Sequence, residues 1–128
     1  MSKLYRSMKG GSPGRPLCEA SARGLGVRVA IDINPSPDGL VHPQRGGMSV
    51  APNTPFNLPQ HRRPVSLGGT GRDPVFHLDA QALPETLAYR SDPRAPSQHG
   101  FVEPSGPVAL DTFQRNLCQT AGLWNEMP

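Results

Sequence analysis

Apolar residues recur along this chain in short runs, and the runs favour strands over helices. Leu4-Tyr5-Arg6 reads as a short first strand, closed by the Gly/Pro-rich stretch Lys9 to Gly14. Leu17 to Arg23 has room for two helical turns, with Pro16 at a first helical position and Gly24 and Gly26 as stops. Val27, Val29, Ile31 and Ile33 then alternate with Arg28, Ala30 and Asp32, the period of a half-buried strand. Asn34 to Gly39 carries two prolines and an Asp-Gly pair, a turn. Leu40-Val41-His42 is short and extended. Gly46-Gly47 leads into Met48-Ser49-Val50. Pro52 to Pro74 is rich in Pro and Gly and reads as one long surface loop, of the kind that is usually functional or mobile. Val75 to Leu78, Leu87 to Arg90 and Phe101 to Glu103 are three further strands. Leu110, Phe113, Leu117 and Ala121 fall at helical spacing before Gly122, and Trp124 is placed to pack back on the sheet. The pattern predicts an α+β fold in a single domain over residues 1–128.

Composition sharpens this picture. The 128 residues include 14 Gly and 16 Pro, just under the roughly 25–30% at which disorder is expected. A net charge of +3 is too small to hold the chain open, so a loop-rich folded domain is expected. No apolar run approaches the roughly 18 residues of a membrane helix, and the start has no apolar signal region. These features predict a cytoplasmic protein without membrane insertion. Cys18 and Cys118 lie far apart without a CxxC or zinc pattern, so free thiols in a reducing compartment are expected, and no metal.

Several familiar chemistries drop out. Gly68-Gly69-Thr70-Gly71 is followed by neither Lys nor a helix start, so it is no phosphate loop of the nucleotide hydrolases. The serine hydrolase elbow is absent, because Gly-Gly-Met-Ser ends in Val50. Gly46 and Gly47 suit either a tight turn or the close approach of a ligand to backbone, with the Ser49 hydroxyl beside them. His42, His61, His77 and His99 form no metal motif but offer acid–base chemistry near neutral pH. Arg6 carries a planar fork suited to phosphate or carboxylate, or to a solvated strand face. Arg62-Arg63 is the one tight basic cluster.

The ordered set Leu4-Tyr5-Arg6, Asp38-Gly39-Leu40, Gly46 to Val50, Phe76 to Asp79, Leu87 to Asp92, His99 and the helix with Phe113 resembles a toxin family. That family comprises the type VI secretion exported toxins of the "exported effector two" kind, small cytotoxic proteins with an ADP-ribosyltransferase-like fold. The resemblance implies two short, roughly perpendicular sheets around an NAD-binding cleft. It implies toxicity in a target cell's cytosol, an intracellular macromolecular target, and a cognate immunity protein in the producer. By the same resemblance Arg6 contacts NAD, Ser49 lines the nicotinamide end of the cleft, and His99 is functional. Gly46 and Gly47 flank the cofactor, and Glu103 is the candidate carboxylate for the ribose. Met48 stands where the family often has Thr. Two alternatives differ in class. One is an RNA-directed toxin with His77 or His99 as acid–base and Arg62 and Arg63 on phosphate. The other is a non-catalytic binding module.

Overall fold

The computed structural model describes residues 3–128. It is a small α+β domain with two antiparallel sheets and one α-helix. The larger sheet has six strands: β1 (Lys3–Ser7), β3 (Met48–Pro52), β4 (Val75–Asp79), β5 (Leu87–Ser91), β6 (Gly100–Pro104) and β8 (Asn125–Glu126). Their spatial order is β5-β6-β3-β1-β4-β8. The smaller sheet pairs β2 (Leu40–Val41) with β7 (Val108–Ala109) beside α1 (Leu110–Cys118). Among the described residues no helix is long and apolar enough to cross a membrane.

One feature of the large sheet matters most. Met48, Ser49 and Val50 of β3 pair with Val102, Phe101 and Gly100 of β6. Ala51 and Pro52 pair instead with Tyr5 and Leu4 of β1. Beyond Tyr5, the residues Arg6 and Ser7 pair only with Phe76 and Val75 of β4. The strand β3 therefore changes partner at its middle, and the sheet parts between Arg6-Ser7 and Ser49-Val50.

The core explains the expected elements. Leu4, Phe76, Leu78, Phe113, Leu117 and Trp124 lie in one buried cluster, joining β1, β4, α1 and the tail. Phe113 and Leu117 are one helical turn apart and share the inner face of α1. Asp111 in its first turn and Arg115 in its last suit the helix dipole. The helix ends before the expected Gly122. Thr120 donates its hydroxyl to the carbonyl of Leu117 at 2.6 Å and accepts Trp124 Nε1 at 3.0 Å. That side-chain bond takes an end carbonyl, and Ala121–Leu123 continues as a single 3-10 turn.

Three expectations are corrected. Leu17 to Arg23 is not helical. Its backbone is spent elsewhere: Leu17 donates to Lys9, Lys9 donates to Arg23, and the carbonyls of Ser21, Ala22 and Gly24 turn inward onto Arg6. Val27 to Ile33 is not a strand either. Its ends, Val27 and Ile33, are buried, but Val29 and Ile31 are 54% and 69% exposed. Asp32 takes the Arg28 backbone N–H at 2.7 Å and the Arg28 guanidinium at 3.0 Å, and Ala30 turns left-handed at φ 68°. The segment folds on itself before it can pair. Third, Cys18 and Cys118 are joined as a disulfide, with Cα atoms 5.3 Å apart. Free thiols were expected because nothing local signals the pair; the bond forms where the 17–26 loop crosses α1. Gln114 reinforces that crossing by accepting from Val27 N at 3.0 Å and donating to Leu25 O at 3.2 Å.

The long loop from Pro52 to Pro74 has local order. Pro55–Asn57, Gln60–Arg62 and Val65–Leu67 are 3-10 turns, and Leu58 between the first two is buried. Asn57 Nδ2 donates to Pro52 O and to Ser97 O, tying the loop to the turn before β6.

Candidate functional site: a cationic cleft at the parting of the sheet

A cleft of about 250 Å³ opens where the sheet parts. Arg6, Ser49 and His99 all line it. Its other polar walls come from Arg28 and Asp32 of the 28–33 turn, and from Asn57, His61 and Arg62 of the long loop.

Arg6 is only 7% exposed. Its Nε and Nη2 donate to Gly24 O at 3.1 and 2.9 Å, Nη2 also reaches Ser21 O at 3.2 Å, and Nη1 donates to Ser49 O at 2.7 Å. The guanidinium is a staple. It holds the 21–26 loop against β3 and replaces the ladder bond lost at the gap, since a buried carbonyl needs a donor. Burial brings its pKa down to about 10, partly opposed by Asp32. Gly24 and Gly26 admit this crowding, because a Cβ on Gly26 would strike Gln114 and the Glu19 carbonyl.

Ser49 stands opposite Phe101 in the ladder, so their side chains share a face. His99 is two residues before Phe101 and packs edge-on against it, with ring centres 4.9 Å apart. His99 Nδ1 lies 2.9 Å from Asp92 Oδ2. Asp92 is itself held: its Oδ1 accepts Arg94 N at 3.0 Å, and its backbone N–H donates to His99 O at 2.9 Å. The Arg94 N–H first, and His99 second, hold the Asp92 carboxyl below its usual range. An ionised Asp92 requires an N–H at Nδ1, which leaves Nε2 as the unprotonated nitrogen of a neutral imidazole. That is the arrangement of an oriented general base.

Glu103 is outside the cleft. It accepts Arg90 Nε at 2.7 Å and Gln44 N at 2.9 Å, and it is buried in that pair. Among the described residues the carboxylate that lines the cleft is Asp32, occupied by Arg28. Gly46 and Gly47 do not line the cleft, and close backbone approach accounts for both. With φ of 104° and 152°, they lie where a Cβ would strike the carbonyls of Asp32 and Val102 respectively. Gly47 N donates to Asp32 O at 2.9 Å. His77 and Arg63 do not line the cleft; His77 packs beside Tyr5, and burial lowers its pKa. Among the described residues no group of three or more His, Cys, Asp or Glu is placed to hold a metal ion.

Asp92 and Arg28 are the functional candidates that the sequence reading missed. Asp92 had a signal. It follows β5 and His99 precedes β6, so the hairpin register that pairs Ser91 with Gly100 brings them face to face. No protein-family model and no curated protein matches this chain.

Proposed function

We propose that this chain is a small toxin domain of the ADP-ribosyltransferase-like kind, which binds NAD in the cleft and transfers ADP-ribose to an intracellular target. One observation carries the reading. The parting of β1 from β3 gathers Arg6, Ser49 and His99, three of the six residues singled out by the resemblance, around one cleft. Breaking the nicotinamide–ribose bond develops oxocarbenium character and releases neutral nicotinamide. The chain's part is to orient NAD and to prepare the acceptor. Ser49 stands at the gap to position the nicotinamide riboside. His99, oriented by Asp92, takes the proton from the acceptor as the new bond to the ribose carbon forms, and Asp92 balances the imidazolium. Arg6 acts through Ser49, by fixing the strand that carries it. A ribose-binding carboxylate in the role first given to Glu103 is not part of this reading.

The wider setting follows the same reading. Action falls in the cytosol of a target cell, and a cognate immunity protein protects the producer. One observation favours a second reading: His61 and His99 line the same cleft together with Arg28 and Arg62. Two imidazoles suit the acid and base of RNA cleavage, and Arg62 suits its phosphate. The test is to incubate the protein with NAD and with RNA in parallel. Nicotinamide release and transfer of label from NAD into cell extract support the first reading. Fragmented RNA with NAD untouched selects the second.

A further inference from the structure

Two cavities meet along one wall. The cleft shares Ser7, His61 and Arg62 with a neighbouring cavity of about 390 Å³, which Thr70, Gly71 and Arg72 help to line. Ligand sites commonly span roughly 300–1,000 Å³. Each cavity alone is near the low end of that range, and the two together reach its middle.

The charge on that wall is unbalanced. Arg62 sits in the Gln60–Arg62 turn, and its backbone is fastened by the bond from its N–H to Pro59 O at 2.9 Å. Among the described residues its guanidinium has no hydrogen-bond or ion-pair partner. Arg6 lines the same cleft. A guanidinium has five N–H groups. In Arg6 the Nε and Nη2 groups go to the 21–26 carbonyls, and one Nη1 N–H goes to Ser49. The second Nη1 N–H has no protein acceptor among the described residues, and no carboxylate lies within ion-pair distance of Arg6. Nearby Arg62 and Arg28 push the Arg6 pKa further down, so the positive charges feel one another. Other cations here are neutralised: Arg28 by Asp32 at 3.0 Å, and Arg23 by Asp73 through two bonds of 2.7 and 2.8 Å. Arg6, Arg62 and Arg72 are the exceptions, and of these Arg6 and Arg62 line the cleft. A buried cation without a counter-ion is unfavourable, and an anion between the two would relieve it.

We infer that the wall of Arg6 and Arg62 is a diphosphate subsite, and that the ligand is a diphosphate carrying one group into each cavity. The inference deepens the NAD reading, and rests on it only for the identity of the two flanking groups. Arg62 supplies the bidentate contact and Arg6 the single buried N–H.

Titration calorimetry at constant ionic strength tests it, with inorganic pyrophosphate as the probe. The proteins are wild type, Arg62→Gln, and Arg115→Gln as an exposed charge-matched control on α1. Wild type is expected to bind pyrophosphate, Arg62→Gln to bind it about tenfold more weakly or worse, and Arg115→Gln to match wild type. Equal binding by wild type and Arg62→Gln overturns the subsite. So does equal weakening by both variants, which reports general charge alone. Repeating the titration with NAD separates the two claims. NAD binding that Arg62→Gln leaves intact overturns the subsite and spares the NAD reading. Pyrophosphate binding that depends on Arg62, with no NAD binding by wild type, keeps the subsite and removes the NAD reading.

Discussion

Arg6 donates from Nη1 to the carbonyl of Ser49 at 2.7 Å, at the point where β1 and β3 stop pairing. A side chain thus stands where a backbone bond would otherwise lie. The same guanidinium gathers the carbonyls of Ser21 and Gly24, so one residue shapes both the gap and the loop beside it.

Arg6→Ala is expected to lower stability by about 3 kcal/mol, because several buried carbonyls lose their donor together. Arg6→Lys keeps the charge but not the fork and restores little of the loss. Urea unfolding measures both. A Lys variant as stable as wild type would show that charge, not the forked bonding, holds the loop.

Gly47→Ala separates a structural from a ligand-binding glycine. With φ at 152° and the Val102 carbonyl in the path of a Cβ, the variant should lose roughly 2 kcal/mol or more. Unchanged unfolding together with weakened NAD binding would return Gly47 to the ligand.

Acid should destabilise the fold in two steps. The His77 pKa is lowered by burial, so the unfolded chain binds the proton more readily and stability falls as pH drops below about 6.5. The Arg23 side chain holds the Asp73 carboxyl low, and the Arg94 N–H does the same for Asp92. Their stabilisation is complete above about pH 4 and is lost as pH falls through their folded values. Urea midpoints from pH 8 to pH 2.5 trace both steps. His77→Gln should flatten the upper one, and an unchanged profile in that variant would assign the step elsewhere.

The disulfide closes a loop of 100 positions, and its removal should cost about 2–4 kcal/mol. A Cys18→Ala/Cys118→Ala variant should therefore unfold at clearly lower urea. Mass spectrometry of the wild type after alkylation should find no free thiol; two alkylated cysteines would contradict the pairing.

Much of the fold was legible because its elements carry their own periodicity. The strands β1, β4, β5 and β6 and the Phe113/Leu117 face of α1 needed nothing beyond local pattern. The 17–33 region was not legible. Its shape is dictated by Arg6 and Cys118 from distant parts of the chain, and by the Asp32 carboxylate closing on Arg28. The alternation of Val27 to Ile33 is real, yet only its two ends find a core. At the site, Ser49 and His99 could be read as single residues, but Asp92 becomes visible only once β5 and β6 are paired. The same hairpin gives Glu103 to Arg90 and so takes it away from the cleft.

Nicotinamide release from NAD, followed with and without cell extract, tests the central claim most directly when wild type is run beside Ser49→Ala and Asp92→Asn. The Asn variant keeps an acceptor for Arg94 N but turns an N–H toward His99 Nδ1, so the imidazole is held in the wrong tautomer. Wild type is expected to release nicotinamide. Asp92→Asn should lower kcat roughly a hundred- to ten-thousand-fold with little change in KM, and Ser49→Ala should also lose activity. A wild type that releases no nicotinamide under either condition, or an Asp92→Asn protein that works at the wild-type rate, would contradict the account.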